Sequence, residues 1–352
     1  MNTNKTTNYF SLNQLFQSTQ LYKEYKSNPL GFIDIGARGG PHEIILPFLS
    51  LSKIMSFEPD KTAATEIENK SWGDCKHIVE ATVLGDRNGD LEFFITSNPA
   101  ASSIFEPNLP VVERYKLKQN YPTGNSEILN CTTLDCLIDQ KHNSEDNLGE
   151  IIKIDTQGSE LSILKGSESV LRSNTVALFV EVEFIPVYQN QPFFSEVEMY
   201  LRELGFSFYG FDSLHFRSKK LINKKNAPFM KERVYWADAV FLKDPFDSDN
   251  VLLSKRNLYS LWVAAVLLGY YDFAMELLPT LELEDDDEIN LETFLNELGK
   301  CSYEDTIKEI ENLLNDIKSS PDDINLLVGK FVDKRRDFTD FLDCYQNKFT
   351  QS

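Results

Sequence analysis

The chain has 352 residues, 41% of them apolar and 12% aromatic, with a formal net charge of −20. That apolar share supports a large core and a smaller one, while the acidic balance argues against a broad nucleic-acid surface or an anionic membrane as partner. Cys75, Cys131, Cys136, Cys301 and Cys344 form no CxxC pair and no histidine stands at metal-ligand spacing, so free thiols in a reducing compartment are expected, and no metal site.

The opening residues carry no apolar signal-peptide core, which points to the cytoplasm. The most apolar helical run, residues 261–269, is too short to span a bilayer. Phe10, Leu12, Leu15, Phe16, Leu21 and Tyr22 fall at near-helical spacing, so residues 1–30 read as a helical lead-in that Asn28-Pro29 ends. Residues 32–35 read as a strand entering the turn Gly36-Ala37-Arg38-Gly39-Gly40. Pro41 suits the first position of a helix over residues 41–49. A second strand over 54–57 ends on Glu58, and a helix over 63–70 follows. Residues 77–84 read as a third strand, Asn88-Gly89 as a hairpin turn, and 91–96 as an edge strand. Residues 97–126 are loop-rich, and long loops in compact domains tend to be functional.

Residues 132–138 look like a short strand leading into a helix, and 140–149 like a polar surface loop. A buried strand over 151–155 precedes an amphipathic helix over 161–166, and another strand covers 176–182. An aromatic loop over 183–194 leads to a helix over 195–204, stopped by Gly205. Strands over 206–211, 214–217 and 236–242 close the unit. This alternation argues for a parallel α/β sheet with the last pair antiparallel. Helical spacing then recurs over 257–278, 291–298, 303–317 and 324–345, with Glu284-Asp285-Asp286-Asp287-Glu288 expected as a solvated loop between helices. Residues 244–352 hold 24 acidic against 10 basic residues, a shift that marks a boundary. The expected organisation is a lead-in over 1–30, an α/β domain over 31–245 and an acidic all-helical region over 250–352.

Two stretches carry the chemistry. In the first, Gly36 and Gly39-Gly40 let the backbone approach a ligand. Their G-x-x-G-G spacing departs from the dinucleotide fingerprint, since Arg38 stands where its second glycine belongs, and this counts against NAD. Asp34 is placed to hold the turn's amides or a ligand's ammonium, and Glu58 to take both ribose hydroxyls. In the second, residues 153–166, Asp155 ends a strand where open α/β sheets put their ligands. Glu160 falls in the first turn of the next helix, a place the helix dipole also favours for an acid. Two carboxylates so close could serve as base and orienter. His42 reads as a surface residue at a helix start.

IDIGARGG, FEPD and, above all, IKIDTQGSELSILKG resemble the motifs of the FkbM family of S-adenosylmethionine-dependent methyltransferases. The resemblance spans about residues 31–242, including TTLD and WADAVFL, with Arg38 in place of the usual asparagine and Gln157 where glutamate is common. It implies a class I, Rossmann-like methyltransferase fold: a seven-stranded sheet, the last strand antiparallel, with helices on both faces. By position it implies that Asp34, Gly36 and Gly39 line the methionine and ribose part of S-adenosyl-L-methionine. Glu58 would bind the ribose hydroxyls, Leu84, Gly85 and Asp86 would meet the adenine, and Asp155 would lie near the sulfonium. The implied reaction is O-methylation of a hydroxyl on a sugar, glycan or glycosylated small molecule. Asp155 is the first choice of base, with Glu160 or Glu181 as alternatives; a carboxylate at that strand end could instead orient the acceptor or hold a metal ion. Phe184, Tyr188, Phe193 and Phe194 are candidates for the acceptor wall or for the core. The competing reading is a non-catalytic nucleoside-binding or docking protein that keeps the fold. Residues 250–352 are candidates for self-association or for docking a glycan enzyme.

Overall fold

The computed structural model describes residues 9–117, 119–121, 125–141, 147–222, 231–247, 253–299 and 303–334. Seven strands make the main sheet: β1 (Leu30–Ile35), β2 (Ser52–Phe57), β3 (Lys76–Glu80), β7 (Ile151–Ile154), β8 (Ala177–Glu183), β9 (Ser207–Arg217) and β10 (Arg233–Leu242). Their order is β3-β2-β1-β7-β8-β10-β9. The first five of that order are parallel, and β10 runs antiparallel to both its neighbours. This is the Rossmann-like methyltransferase sheet the sequence implies.

Side chains alternate across each strand, and the two faces feed different cores. Phe32, Ile54, Ile151, Phe179 and Val240 face one way; Ile33, Met55, Ile152, Leu178 and Phe241 face the other. The central strands are covered on both faces, which is why they read as continuous apolar runs. Asp34, Lys153, Glu181 and Asp238 are polar positions on neighbouring strands, brought side by side by the register of Asp34 with Lys153 and of Glu181 with Asp238.

The second face is covered by α6 (Leu134–Lys141), α7 (Glu160–Lys165), α8 (Glu168–Ser173) and α9 (Phe194–Glu203). The first is covered by the lead-in helices α1 (Tyr9–Leu12), α2 (Gln14–Ser18) and α3 (Gln20–Ser27), together with α10 (Lys255–Leu267), α11 (Tyr271–Leu277) and α12 (Asp285–Gly299). Phe16, Trp262 and Phe294 meet there, with the Phe16 and Trp262 rings parallel at 6.2 Å. Arg256 ties this layer to the sheet. It forks onto Glu150 at 2.6 and 2.9 Å, reaches Glu24 at 3.0 Å and bonds the carbonyls of Asn28 and Pro29. Glu150 in turn accepts from the Gly31 amide at 2.8 Å and from Ser260 at 2.6 Å. Helices α13 (Tyr303–Ser319) and α14 (Ile324–Lys334) pack on each other as a separate unit.

Several local expectations change. The strand expected over 77–84 is two strands, β3 and β4 (Val83–Leu84), and only β3 joins the main sheet. Strand β4 pairs in parallel with β6 (Asn125–Thr132), which pairs antiparallel with β5 (Gly89–Ile95), making a separate three-stranded sheet. Asn88-Gly89 therefore closes no hairpin. The Asn88 carboxamide oxygen instead accepts from Thr132 Oγ1 at 2.9 Å and the Thr133 amide at 3.0 Å, pinning the turn to the end of β6. The helix expected over 41–49 is a 3₁₀ helix, Glu43–Leu51, capped by His42. Pro47 lies inside it and has no N–H to give an α-helical ladder.

The helix expected over 257–278 breaks into α10 and α11, with Gly269 between them at φ +85°. The acidic run expected as a loop begins α12, where unbonded amides of the first turn favour four carboxylates. The helix expected over 324–345 is described as far as Lys334; Cys301 and Cys344 lie outside the described residues, while Cys75, Cys131 and Cys136 are free thiols. Among the described residues no helix is long and apolar enough to cross a membrane.

Candidate active site

The carboxyl ends of β1, β2 and β7 open onto a cavity of about 410 Å³. Two turns form its floor. After β1, the amides of Gly36 and Ala37 both donate to Phe57 O at 3.0 Å, tying the glycine turn to the end of β2. Gly36 has φ +81°, and a Cβ there would fall 1.9 Å from the carbonyl oxygen of Asp155. Only glycine lets the two turns approach so closely, and that approach sets Asp155 beside Asp34.

Lys153 lies between these two acids. Its Nζ is 3.4 Å from Asp34 Oδ1 and 3.6 Å from Asp155 Oδ2, and it donates to Gly36 O at 3.2 Å. Burial works to lower its pKa, but the two carboxylates outweigh burial and the net shift is upward. Lys153 is therefore a fixed ammonium under the cavity. Asp34 also accepts from the His42 amide at 2.8 Å. His42 joins the wall, its ring 5.2 Å from that of Phe179. Burial, then the Lys153 charge, lowers its pKa to about 4, so the imidazole is neutral. Its Nδ1 accepts from the Ile44 amide at 3.3 Å, which leaves the proton on Nε2.

At the other end stands Glu58, buried, with Oε1 accepting from the Asp60 amide at 3.0 Å. Its Oε2 has no partner among the described residues. Arg38 reaches Asp60 at 3.2 Å and comes within 3.8 Å of Glu58. Asp60 is also the N-cap of α4 (Lys61–Glu68). The arginine that looks out of place for NAD thus braces the acidic wall.

The turn after β7 carries the carboxyl cluster. Gln157 sits at φ +58°, a left-handed conformation that costs a non-glycine residue about 1–2 kcal/mol. In that pose its Nε2 bridges Asp155 Oδ1 at 3.1 Å and Glu181 at 3.2 and 3.3 Å. Gln157 thus holds the Asp155 and Glu181 carboxyls next to each other. Burial would raise Asp155, but Lys153, Glu181 and Gln157 together hold it below the usual carboxylate range. Burial and the Asp155 charge push Glu181 well above it. The two carboxyls thus shift in opposite directions, Asp155 toward the ionised form and Glu181 toward the protonated one. Glu160 is turned away from the cavity. Its Oε1 accepts from the Thr156 amide (2.8 Å), Thr156 Oγ1 (3.1 Å) and the Gly158 amide (3.2 Å).

The expected residues therefore separate. Asp34, Gly36, Glu58, Leu84 and Asp155 line one cavity. Gly39 does not; its carbonyl accepts from Lys70 at 2.9 Å. Asp86 lies along a different cavity, and its amide is bonded to Ser162. Glu181 faces a third cavity next door, and Glu160 holds the turn between them. Of the four aromatic candidates, Tyr188 lines this third cavity; Phe184 and Phe194 pack with Phe211 against the core, and Phe193 is the N-cap residue of α9. Lys153, Gln157 and His42 were not singled out by spacing. Lys153 is the legible one, a charge inside an apolar strand.

Residues 34–208 match the family model described as the methyltransferase FkbM domain. The chain carries an FkbM methyltransferase domain. Its matched span begins at Asp34 and takes in both turns, Glu58 and the whole carboxyl cluster of the β7 turn. Among solved structures, the FkbM methyltransferase of Methylobacillus flagellatus KT is similar over 61% of this chain and 43% of its own, at 13% identity and a TM-score of 0.33. This chain thus spans less than half of that protein's length. No curated protein matches.

Proposed function

We propose that the FkbM domain binds S-adenosylmethionine in the cavity at the carboxyl ends of β1, β2 and β7 and methylates a hydroxyl presented from the neighbouring cavity lined by Glu181, on a sugar, glycan or glycosylated small molecule. The residues fit the cofactor's chemistry. Glu58 offers an unpartnered carboxylate oxygen to a pair of vicinal hydroxyls. Val83, Leu84 and Ile163 offer an apolar slot for a purine. Asp34 and Asp155 supply negative charge for an ammonium and a sulfonium, and Lys153 a cation for a carboxylate. When bound, the cofactor supplies an electrophilic methyl carbon.

The observation that carries the reading is the border between the cavities. Gln157 lines both, with Asp155 on the side of Glu58 and Glu181 on the side of Tyr188. A hydroxyl held at that border meets the ionised Asp155. Asp155 takes its proton as the oxygen attacks, since an alcohol is a weak nucleophile until then. Gln157 and Glu181 fix the carboxylate's orientation, and Lys153 keeps it charged. Much of the rate enhancement comes from holding the oxygen in line with the breaking bond.

The test is Asp155→Asn, with turnover and S-adenosylhomocysteine binding measured side by side. The expected result is a loss of roughly 10²–10⁴ in turnover with the cofactor product still bound. Unchanged turnover would remove Asp155 as the base.

A further inference from the structure

The cavity lined by Glu181 and Glu183, about 250 Å³, contains acid that pairs with no cation among the described residues. Glu181 and Glu183 leave β8 on the same face, two residues apart, and both line it. Glu181 is held by Gln157 and Asp155. Glu183 is only 5% exposed, yet its carboxyl has no hydrogen bond or ion pair among the described residues. Burying a carboxyl group with no partner is costly, so its position asks for a ligand. The remaining walls are the rings of Tyr121, Tyr188, Tyr235 and Trp236. Tyr121 and Tyr188 meet edge to face at 5.8 Å, and the Tyr121 and Tyr235 hydroxyls lie 3.3 Å apart. Arg217, the cation on this wall among the described residues, lies 5.7 Å over the Tyr235 ring and pairs with neither acid.

We infer that this cavity binds a protonated amine, so that the methyl acceptor is a compound carrying an ammonium group alongside the hydroxyl that reacts. Electron-rich ring faces attract cations, and a buried acid without a partner gains most from one. A neutral sugar would satisfy hydrogen bonds but give Glu183 no counter-charge to ionise against. Burial holds Glu183 well above the usual carboxylate range in the free protein, and the ammonium would draw the proton off. The inference deepens the acceptor reading of this cavity and rests on it.

The test is calorimetric titration of the full chain near neutral pH with glucosamine and with glucose, for the native protein and for Glu183→Gln. S-adenosylhomocysteine binding is measured on the same samples and reports the cofactor cavity separately. The expected result is that glucosamine binds roughly ten-fold or more tighter than glucose. That advantage should collapse in Glu183→Gln. Equal binding of the two sugars, no binding of glucosamine, or an advantage that survives Glu183→Gln would overturn the inference. A preference for glucosamine without S-adenosylhomocysteine binding would uphold the cation site and remove the cofactor reading instead.

Discussion

Replacing Glu160 separates a structural carboxyl from a chemical one. Its side chain is 2% exposed, and its Oε1 takes the amides of Thr156 and Gly158. Burial, opposed by its own amide and by Thr156 and reinforced by the Asp155 charge, raises its pKa from 4.5 to about 7. The folded state therefore keeps the proton that the unfolded chain gives up near 4.5. The stability this contributes is fully present below that value. It is lost as pH climbs through about 7 and then levels, a decline on the order of 3 kcal/mol from this group. Glu160→Gln mimics the protonated acid and keeps an acceptor for the turn. Its stability should match or exceed the native value at neutral pH, and the decline between about pH 5 and 7 should flatten. Glu160→Ala strands two amides and should cost about 2–6 kcal/mol at about 1–3 per buried group. Urea unfolding midpoints at several pH values measure all three proteins. If Glu160→Gln keeps the native pH slope, or if Ala and Gln prove equally stable, Glu160 does not hold the turn as argued.

Other outcomes follow from the same geometry. Arg256→Met removes the fork on buried Glu150 and should cost about 3–5 kcal/mol; a loss under about 1 kcal/mol in denaturant titration would show that α10 is held by its apolar face alone. Cys75, whose thiol burial pushes up to about 11, should react with iodoacetamide roughly a hundred-fold more slowly than a free thiol at mildly alkaline pH. Mass spectrometry of the labelled peptide measures it, and labelling at the free-thiol rate would mean the site opens readily.

Much of this architecture was legible because parallel strands covered on both faces must be mostly apolar, and residues 32–35, 54–57, 151–154 and 177–182 are so marked, each with a single polar exception, Asp34, Ser56, Lys153 and Glu181. Glu58 and Asp155 were readable for a related reason. Each is a charge at the carboxyl end of such a run, where the sheet cannot bury it cheaply. What escaped depended on distant partners. Glu160 and Asp155 are near in sequence, but Thr156 and Gly158 turn Glu160 inward while Lys153 keeps Asp155 at the cavity. His42 seemed exposed because a continuous helix was expected after Pro41; the 3₁₀ geometry brings it against Phe179 instead. Asp86 was assigned by its place after a third strand that turned out to be two. The acidic run before residue 290 carries loop composition, and only the open amides of the first turn of α12 make it helical.

The most direct measurement is a calorimetric titration of the full chain and of Glu58→Ala with S-adenosylmethionine. Saturable binding by the intact protein is expected. Loss of the hydroxyl-binding carboxylate should weaken it by about 10–100-fold, since hydrogen bonds to a charged group contribute about 1.5–3 kcal/mol. No heat from the intact protein at high cofactor, or an affinity unchanged in Glu58→Ala, would contradict the placement of the cofactor in this cavity.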